Sequence, residues 1–493
     1  MGLEIDRTVF DAEDFALFRE RLSDNLGALA GMLESPRFGQ SAGSLGAELE
    51  MYVVDASGRP LYRNQEILAA ADDPQLTLEI NRYNLEYNLS PYALSEQPFI
   101  ATEREILHKL SELRKVSNQF GGRVVPIGIL PTLEVTDFGG HCITDRRRYH
   151  ALVQQLIARR GSAFKVHING ADPLQLEMED ITLEGANTSF QVHYRVNPAD
   201  YADTFNAIQL MTPLAMAIGA NSPTLFGHRL WQETRVPLFK QSIDTRHVDR
   251  YSWNEPARVN FGHGWVRRGA LELFEEVVRL YPPLLPVCGE HSASTAQARG
   301  VTPDLAELRL HQSTVWLWNR PIFDHADGGQ VRIEMRGLPA GPTAVDMVAN
   351  AAFLIGLAEG VKPYINELLP ALPFSTAEYN FYRAAQHGLS AQLIWPDRNQ
   401  SGCVARSAAE IIKESLPIAQ AGLDAIGIDA DESQRYLNVI LARLEAGTNG
   451  AAWQLQSLAR HNERNDARQA ASLMLEDYMV NSEANMPVAQ WPL

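Results

Sequence analysis

Four segments of the chain alternate apolar and polar side chains with a period of two, over residues 45–55, 77–89, 187–196 and 331–338. Successive side chains of a β-strand point to opposite faces of the sheet, so each segment predicts a strand with one apolar face and one polar face. An apolar strand face needs a second layer to cover it. The alternation therefore predicts a sheet that packs against other elements on one side.

Helical periodicity separates and follows these strands. Apolar side chains recur at helical spacing over residues 15–33, 99–116, 199–220 and 343–360. Beyond Lys362 almost every pattern is helical. We therefore predict an α+β fold in two parts, with a main domain over residues 1–370 and a helical C-terminal region over residues 371–493.

The charge balance and the N-terminus exclude several classes of protein. The chain has 60 acidic and 43 basic residues and a net charge of −17, which would repel a phosphate backbone, so no nucleic-acid partner is expected. Residues 1–10 lack the basic-then-apolar pattern of a signal peptide. No apolar run reaches the roughly 18 residues of a membrane-spanning helix. We expect a cytoplasmic protein without a membrane partner.

The polar faces of the four predicted strands carry an unusual set of side chains. They are Glu48 and Glu50; Asn84, Glu86 and Asn88; Gln191, His193 and Arg195; and Arg332, Glu334 and Arg336. Each strand taken alone is most simply a strand with one solvated side, which is common in antiparallel sheets. However, a solvated face favours Thr, Ser, Lys and scattered charge, whereas these faces carry glutamates, amides, one histidine and paired arginines.

If these strands belong to one sheet, their carboxylates lie close together and repel one another unless cations lie between them. Mg²⁺ prefers oxygen ligands and commonly bridges to substrate phosphates. Arginines bind phosphate or carboxylate oxygens in a bidentate manner, which gives Arg332 and Arg336 a role. The combination indicates phosphoryl transfer.

At these residues the sequence resembles the glutamate–cysteine ligase family of carboxylate–amine ligases, within the glutamine synthetase superfamily. The matching pieces are Gly46-Ala47-Glu48-Leu49-Glu50, Glu79 with Glu86, Gln191-Val192-His193, Ala220-Asn221-Ser222-Pro223 and Arg332-Ile333-Glu334-Met335-Arg336. They occur in the family's order over roughly residues 44–340. Each piece alone is unspecific, and the ordered set is considerably more specific.

The resemblance implies a curved antiparallel sheet of the glutamine synthetase and guanido kinase type, flanked by helices. Its concave face would hold ATP as co-substrate, two or three Mg²⁺ ions (or Mn²⁺) and the acid substrate. Residues 1–370 would then be the catalytic domain.

The resemblance also implies roles for individual residues. Glu50, Glu79 and Glu86 would bind one metal ion, and Glu48, His193 and Glu334 a second. Arg336 would stabilise the transferred phosphoryl group, with Glu334 and Glu50 also catalytic. The residues expected to contact the nucleotide or its phosphates are Gln191, Arg235 and Arg332.

The implied reaction joins a carboxylate, the γ-carboxylate of glutamate, to an amine such as cysteine through an acyl phosphate. The partners would be small molecules, and a homo-oligomer is compatible with the sequence. Many relatives carry His-x-His-x-Gly where this chain has Gln191-Val192-His193-Tyr194-Arg195. We therefore expect Tyr194 and Arg195 to change the surroundings of the nucleotide or the amine. Two alternatives are a small-molecule kinase on the same fold and a non-catalytic binding or regulatory homologue.

Overall fold

The computed structural model describes residues 5–246, 255–397 and 402–493. Its helices are α1 Ala12–Leu33, α2 Asn64–Ala71, α3 Pro98–Asn118, α4 Arg147–Arg160, α5 Tyr201–Gly219, α6 Arg235–Ser242, α7 Ala270–Leu280, α8 Ala293–Ala298, α9 Ala306–Gln312, α10 Ala344–Val361, α11 Ile365–Ala371, α12 Phe374–His387, α13 Ala408–Ala425, α14 Ala430–Ala446, α15 Gly450–Asn462 and α16 Ala467–Glu483.

The strands of the same residues include several short pairs. They are β1 Ser44–Val54, β2 Leu76–Leu78, β3 Asn84–Asn88, β4 Tyr92–Ala93, β5 Arg123–Val125, β6 Phe164–Ile168, β7 Leu174–Met178, β8 Phe190–Arg195, β9 Thr224–Leu225, β10 His228–Arg229, β11 Val259–Asn260, β12 Trp316–Leu317, β13 Asn319–Asp324, β14 Gln330–Met335, β15 Gln392–Pro396 and β16 Cys403–Ser407.

The central sheet has the strand order β13-β14-β8-β1-β3-β2, and β4 and β5 also pair with β1. Its neighbouring strands run antiparallel. The four predicted strand segments therefore belong to one sheet, and the expected α+β fold with a curved antiparallel sheet is confirmed.

The apolar face of the sheet packs against helices, as the alternation predicts. In β1, Leu45, Leu49 and Met51 are buried in the main core, and α3 lies against this strand. Behind it, α5 packs on α10, which is buried along almost its whole length. The opposite, polar face is left for the functional site.

One segment that the sequence predicts as a single strand forms two strands in the structure. The segment over residues 77–89 forms β2 and β3, joined by a turn in which Asn81 O accepts from Asn84 N. The two strands pair so that Thr77 lies opposite Glu86. Asn81 is buried, and its side chain donates to Tyr83 Oη at 2.9 Å and to Thr182 O at 2.9 Å, which holds the turn in place. The turn brings Glu79 back towards Glu86, which one continuous strand would not do.

In residues 371–397 and 402–493, the C-terminal region is helical apart from the antiparallel strand pair β15 and β16, which the sequence did not predict. Helices α13 and α14 pack on α10 and share the main apolar core with the sheet. The domain boundary at residue 370 stays a prediction.

The stretch Ala344–Ala371 is long and apolar enough to cross a membrane by length and composition, but 94% of its most apolar window is buried inside the protein. Burial of this kind is typical of a core helix. The expected cytoplasmic location stays a prediction.

Candidate active site

The strand register brings glutamates and a histidine from distant parts of the chain onto one face. Glu48 and Glu50 lie two residues apart on β1 and therefore share a face. Glu50 lies directly opposite Glu86 on β3. On the same face, but on the flank of β1 away from β3, Glu334 of β14 lies opposite His193 of β8.

Glu50, Glu79 and Glu86 form a first group, the acidic triad, in which one carboxylate oxygen from each residue lies within 4.8 Å of the others. Glu50 is held in place from β8: its Oε2 accepts from Ser189 N at 2.6 Å and from Ser189 Oγ at 3.0 Å, and its Oε1 accepts from Gln191 Nε2 at 2.6 Å. The arrangement places three carboxyl groups around one point.

Glu48, His193 and Glu334 form a second group, the histidine triad, whose ligand atoms also lie within 4.8 Å of one another. His193 Nε2 lies 3.2 Å from Glu48 Oε1 and 3.6 Å from Glu334 Oε1. Both ring nitrogens are buried: Nε2 faces these two carboxylates, and Nδ1 has no hydrogen-bond partner among the described residues. A buried imidazole flanked by two carboxylates is arranged as a ligand.

Two arginines neutralise Glu334. Arg320 of β13 lies opposite Glu334 in the register, and its Nη2 donates to Glu334 Oε1 at 3.1 Å while its Nε donates to Oε2. Arg336 Nη1 donates to Glu334 Oε2 at 3.1 Å and also to Gln191 Oε1. Burial alone would raise the pKa of Glu334, but Arg320, Arg336 and His193 lower it to about 2. Glu334 is therefore ionised at every physiological pH.

The acidic triad has the opposite electrostatics. Burial raises the pKa of Glu50 to about 7, against the opposing charge of Arg336. Burial also raises the pKa of Glu86 to about 7, and the charge of Glu48 adds to the effect. For Glu79, burial and the neighbouring Glu86 raise the pKa well above its ordinary value. Without a cation these three groups therefore bind protons near neutral pH.

The acidic triad and Glu48 of the histidine triad border one cavity of about 480 Å³, a volume typical of small-molecule sites. The acidic triad, Glu48, Gln191, Arg320 and Arg336 line its sheet side, and Arg146, Arg148 and Tyr149 of the α4 region line another part. The cavity can thus hold a polyanion between metal ligands and arginines.

The sequence profile described as glutamate-cysteine ligase family 2 matches residues 44–472. The chain belongs to this family. It is an ATP-dependent carboxylate–amine ligase. The expectation of an ATP-dependent ligase of the glutamate–cysteine ligase type is thereby confirmed.

The family 2 ligase is similar to other ligases in sequence and in fold. It is 23% identical over 398 residues to a Frankia alni protein provisionally named glutamate–cysteine ligase 2-1, a match that covers 78% of this chain and 85% of that protein. The structure of a Francisella tularensis glutamate–cysteine ligase in complex with AMP shares the fold, with a TM-score of 0.53, 11% identity and coverage of 92% of this chain and 91% of that one. A bifunctional glutathione synthetase from Pasteurella multocida matches at a TM-score of 0.47 and 11% identity, over 94% of this chain and 55% of that one.

Two predicted phosphate contacts of the ligase lie apart from the residues that line the cavity. Arg235 is buried at the start of α6, where its Nε donates to Glu233 at 2.7 Å and its Nη2 donates to Gly337 O at 2.8 Å. Arg332 shares the face of Glu334 but pairs with Asp324 at 3.3 Å. Their roles in nucleotide binding stay predictions, and in this geometry Arg235 supports the backbone beside Arg336.

The expectation for Tyr194 is wrong. Tyr194 is one residue beyond His193 on β8, so it points to the apolar face, where it is buried and donates to Glu359 Oε1 at 3.0 Å. Arg195 does share the face of His193, and it donates to Ala42 O at 3.3 Å. Of these two residues, only Arg195 lies on the side of the sheet that carries the site.

Sequence reasoning missed several residues of the cavity wall: Arg320, Glu184, Arg146, Arg148 and Tyr149. A signal existed for Arg320, because Asp327-Gly328-Gly329 is a turn sequence that predicts a hairpin between β13 and β14. Counting back across that hairpin places Arg320 opposite Glu334. Glu184 lies in a short 3-10 helix, and Arg146, Arg148 and Tyr149 lie at the start of α4, where no alternation points to the cavity.

Proposed function

We propose that this ligase joins the γ-carboxylate of glutamate to an amine, with cysteine as the first candidate, through an acyl phosphate formed with Mg²⁺ and ATP. With cysteine as the amine, the enzyme would serve glutathione biosynthesis. The observation that carries the proposal is one cavity lined by the acidic triad, by Glu48 of the histidine triad, and by the two arginines that pair with Glu334.

The donor set of this chain fits Mg²⁺. The acidic triad offers only carboxylate oxygens, which hard divalent cations prefer, and the histidine triad adds one imidazole to two carboxylates. The buried imidazole of His193 between two carboxylates and the raised pKa values of the acidic triad both indicate sites that a cation would stabilise. We therefore assign Glu50, Glu79 and Glu86 to one ion, and Glu48, His193 and Glu334 to another.

The residues of the cavity would then act mainly by positioning and by neutralising charge. Arg336, placed between Glu334 and Gln191, balances the negative charge of the transferred phosphoryl group. Arg320 keeps Glu334 ionised as a ligand and faces the same cavity. Mg²⁺ held by the triads would supply positive charge that stabilises the negative charge on the phosphate groups of ATP.

The proposed reaction has two steps that share these residues. A carboxylate oxygen of the acid attacks the γ-phosphorus of ATP, so that ADP leaves and an acyl phosphate forms. The nitrogen of the amine then attacks the acyl carbon, and inorganic phosphate leaves. The products are ADP, phosphate and an amide.

The test is a phosphate-release assay with ATP, Mg²⁺ and glutamate across a panel of amines, cysteine first, with the amide product measured in parallel. We expect phosphate and amide in equal amounts. ADP formation without amide would instead identify a small-molecule kinase, the alternative that this sheet allows. No phosphate release with any acid and amine pair would contradict the substrate assignment.

Variants connect this activity to the residues. Glu50→Gln should abolish turnover without unfolding the protein, because it removes one charge from the acidic triad. Arg336→Ala should lower kcat far more than the affinity for glutamate. Glu177→Gln, which changes an exposed glutamate on β7, serves as the control and should keep full activity. Normal turnover of Arg336→Ala would contradict the site assignment.

A further inference from the structure

The backbone that follows Arg336 lies between the ligand-bearing strands and the C-terminal helices. This connecting segment, residues 337–342, leads from β14 to α10. Its residues Leu338 and Ala340 are buried, with 2% and 0% exposure. Contacts that fix this segment therefore also restrict the position of Arg336, which immediately precedes it.

On the sheet side the connecting segment pairs with the residues that lead into β8. Phe190 N donates to Leu338 O at 3.0 Å, and Ala340 N donates to Thr188 O at 3.2 Å. Between them lies Ser189, which forms a bridge with Pro339. Ser189 is the residue whose backbone N–H and hydroxyl both donate to Glu50 Oε2. The segment is therefore joined to Glu50 through one residue.

On the helix side the connecting segment contacts α16 through buried polar groups. Asn221 Nδ2 donates to Ala340 O at 2.8 Å and to Tyr478 Oη at 2.9 Å. Tyr478 Oη in turn donates to Pro126 O at 3.0 Å, and Ser482 Oγ donates to Pro342 O at 2.6 Å. Asn221 and Tyr478 are fully buried. These bonds are consequently shielded from competition with water.

Helix α15 and Gly341 complete this arrangement. Gln454 of α15 donates to Asn221 Oδ1 at 2.8 Å and so orients the asparagine amide. Gly341 has a φ of +76° and lies against the hydroxyl of Tyr478, where a Cβ atom would collide with that oxygen. The chain thus approaches the tyrosine as closely as glycine permits.

We propose that Asn221 and Tyr478 are positioning residues of the ligase, through which α15 and α16 fix Glu50 and Arg336 relative to each other. The connecting segment transmits this restraint, to Arg336 along the chain and to Glu50 through Ser189. The inference gives the C-terminal helices a function in the reaction. It rests on the roles proposed for Glu50 and Arg336.

The test compares two tyrosines that lose the same atom. Tyr478→Phe removes the hydroxyl at the connecting segment. Its matched control is Tyr436→Phe on α14, which is also fully buried and donates to Glu103 Oε2 at 2.6 Å, away from the cavity. We expect Tyr478→Phe to lower kcat about tenfold with KM for ATP and glutamate changed less than about twofold, because small displacements of positioned groups slow the chemical step. Tyr436→Phe should keep kcat within about twofold of wild type.

A second pair of variants keeps the proposal testable if Tyr478→Phe does not fold. Ser482→Ala removes the donor to Pro342 O, and Ser415→Ala removes an equally buried hydroxyl that donates to Ile411 O at 2.7 Å within α13. We expect kcat to fall only for Ser482→Ala. Within each pair, the two variants should lose similar amounts of free energy of unfolding.

Equal kcat values for Tyr478→Phe and Tyr436→Phe, or for the two serine variants, would overturn the proposal. Arg336→Ala separates this failure from a failure of the proposed function. If Arg336→Ala is inactive while Tyr478→Phe and Ser482→Ala turn over normally, only the positioning role is refuted. If Arg336→Ala is fully active, the roles on which the inference rests fail with it.

Discussion

Replacing Glu86 by glutamine should stabilise the metal-free protein above pH 7 and weaken its response to Mg²⁺. Glu86 Oε1 accepts from Thr77 Oγ1 at 3.1 Å and from Asn88 Nδ2 at 3.0 Å. A glutamine keeps both bonds with its own Oε1 and places its amide N–H groups among the carboxylates of Glu50 and Glu79. The substitution therefore removes a charge while it retains the local hydrogen bonds.

The magnitude follows from the pKa of Glu86, which burial raises from 4.5 to about 7 in the folded protein. At a pH below the pKa of the unfolded state, the carboxyl group is protonated in both states and does not change the free energy of unfolding. As the pH rises from the unfolded-state pKa to the folded-state pKa, the unfolded chain releases its proton while the folded protein still holds it, so stability is lost until both states are ionised above pH 7. At 1.36 kcal/mol per pKa unit, the loss at pH 8 is at most about 3 kcal/mol, which the Glu86→Gln variant should recover.

Chemical denaturation at pH 5 and pH 8, in EDTA or in MgCl₂, measures this effect. In EDTA the variant should unfold at higher denaturant concentration than wild type at pH 8, and at nearly the same concentration at pH 5. In Mg²⁺ at 100 times its Kd, wild type gains about 2.7 kcal/mol because only the folded state binds the ion, and the variant should gain much less. Glu177→Gln on the exposed edge of β7 controls for a simple change in net charge.

Two results would refute the reasoning. If Glu86→Gln is less stable than wild type at pH 8 in EDTA, then the carboxylate is not a source of strain in the metal-free protein. If Mg²⁺ stabilises the variant as strongly as wild type, then Glu86 is not a ligand.

Three further outcomes are expected. Binding of Mg²⁺ near pH 6.5 should release protons, because the pKa values of Glu50 and Glu86 are raised to about 7 in the metal-free protein. Calorimetry in buffers of different ionisation enthalpy measures this release, and a binding heat that does not depend on the buffer would contradict it. Arg320→Met should raise the pKa of Glu334, so the acid limb of the kcat/KM profile should move to higher pH, whereas an unchanged limb would separate Arg320 from Glu334. Gly341→Ala should lower the thermal midpoint strongly, because the new methyl group meets the hydroxyl of Tyr478 at a backbone φ of +76°, and a midpoint equal to that of wild type would contradict this contact.

The strands and the residues of their polar faces could be predicted because their signal is a period of two, whereas the division into two triads, with Glu79 as a member, came from the resemblance to the ligase family. Glu48 and Glu50, or Glu334 and Arg336, share a face wherever the strand lies, so the sequence alone determines which side chains can meet. The same parity rule, applied to Tyr194, would have placed it on the apolar face, next to helix α10. The wrong expectation for that residue came from comparing motifs instead of counting strand positions.

The parts that could not be predicted depend on contacts between non-periodic segments. The turn after β2 that returns Glu79 to Glu86 is held by the buried side chain of Asn81, which donates to Thr182 O a hundred residues further along the chain. Glu184 lies in a short 3-10 helix and Arg146 at the start of α4, and neither segment has an alternation that points to the cavity. Long-range contacts of this kind leave no local pattern in the sequence.

The buried negative charge is reduced by arginines in the histidine triad and by bound protons in the acidic triad. This difference bears on the order in which ligands bind. In the histidine triad, Arg320 and Arg336 already neutralise Glu334, so under the proposed assignment a metal ion would gain less there until phosphate groups engage the same arginines. In the acidic triad Glu50 makes its hydrogen bonds to the uncharged Ser189 and Gln191, and the three carboxyl groups reduce their repulsion by binding protons. A divalent cation can displace those protons without any nucleotide. The acidic triad is therefore the site that free Mg²⁺ should occupy first, and the histidine triad the site that fills together with ATP.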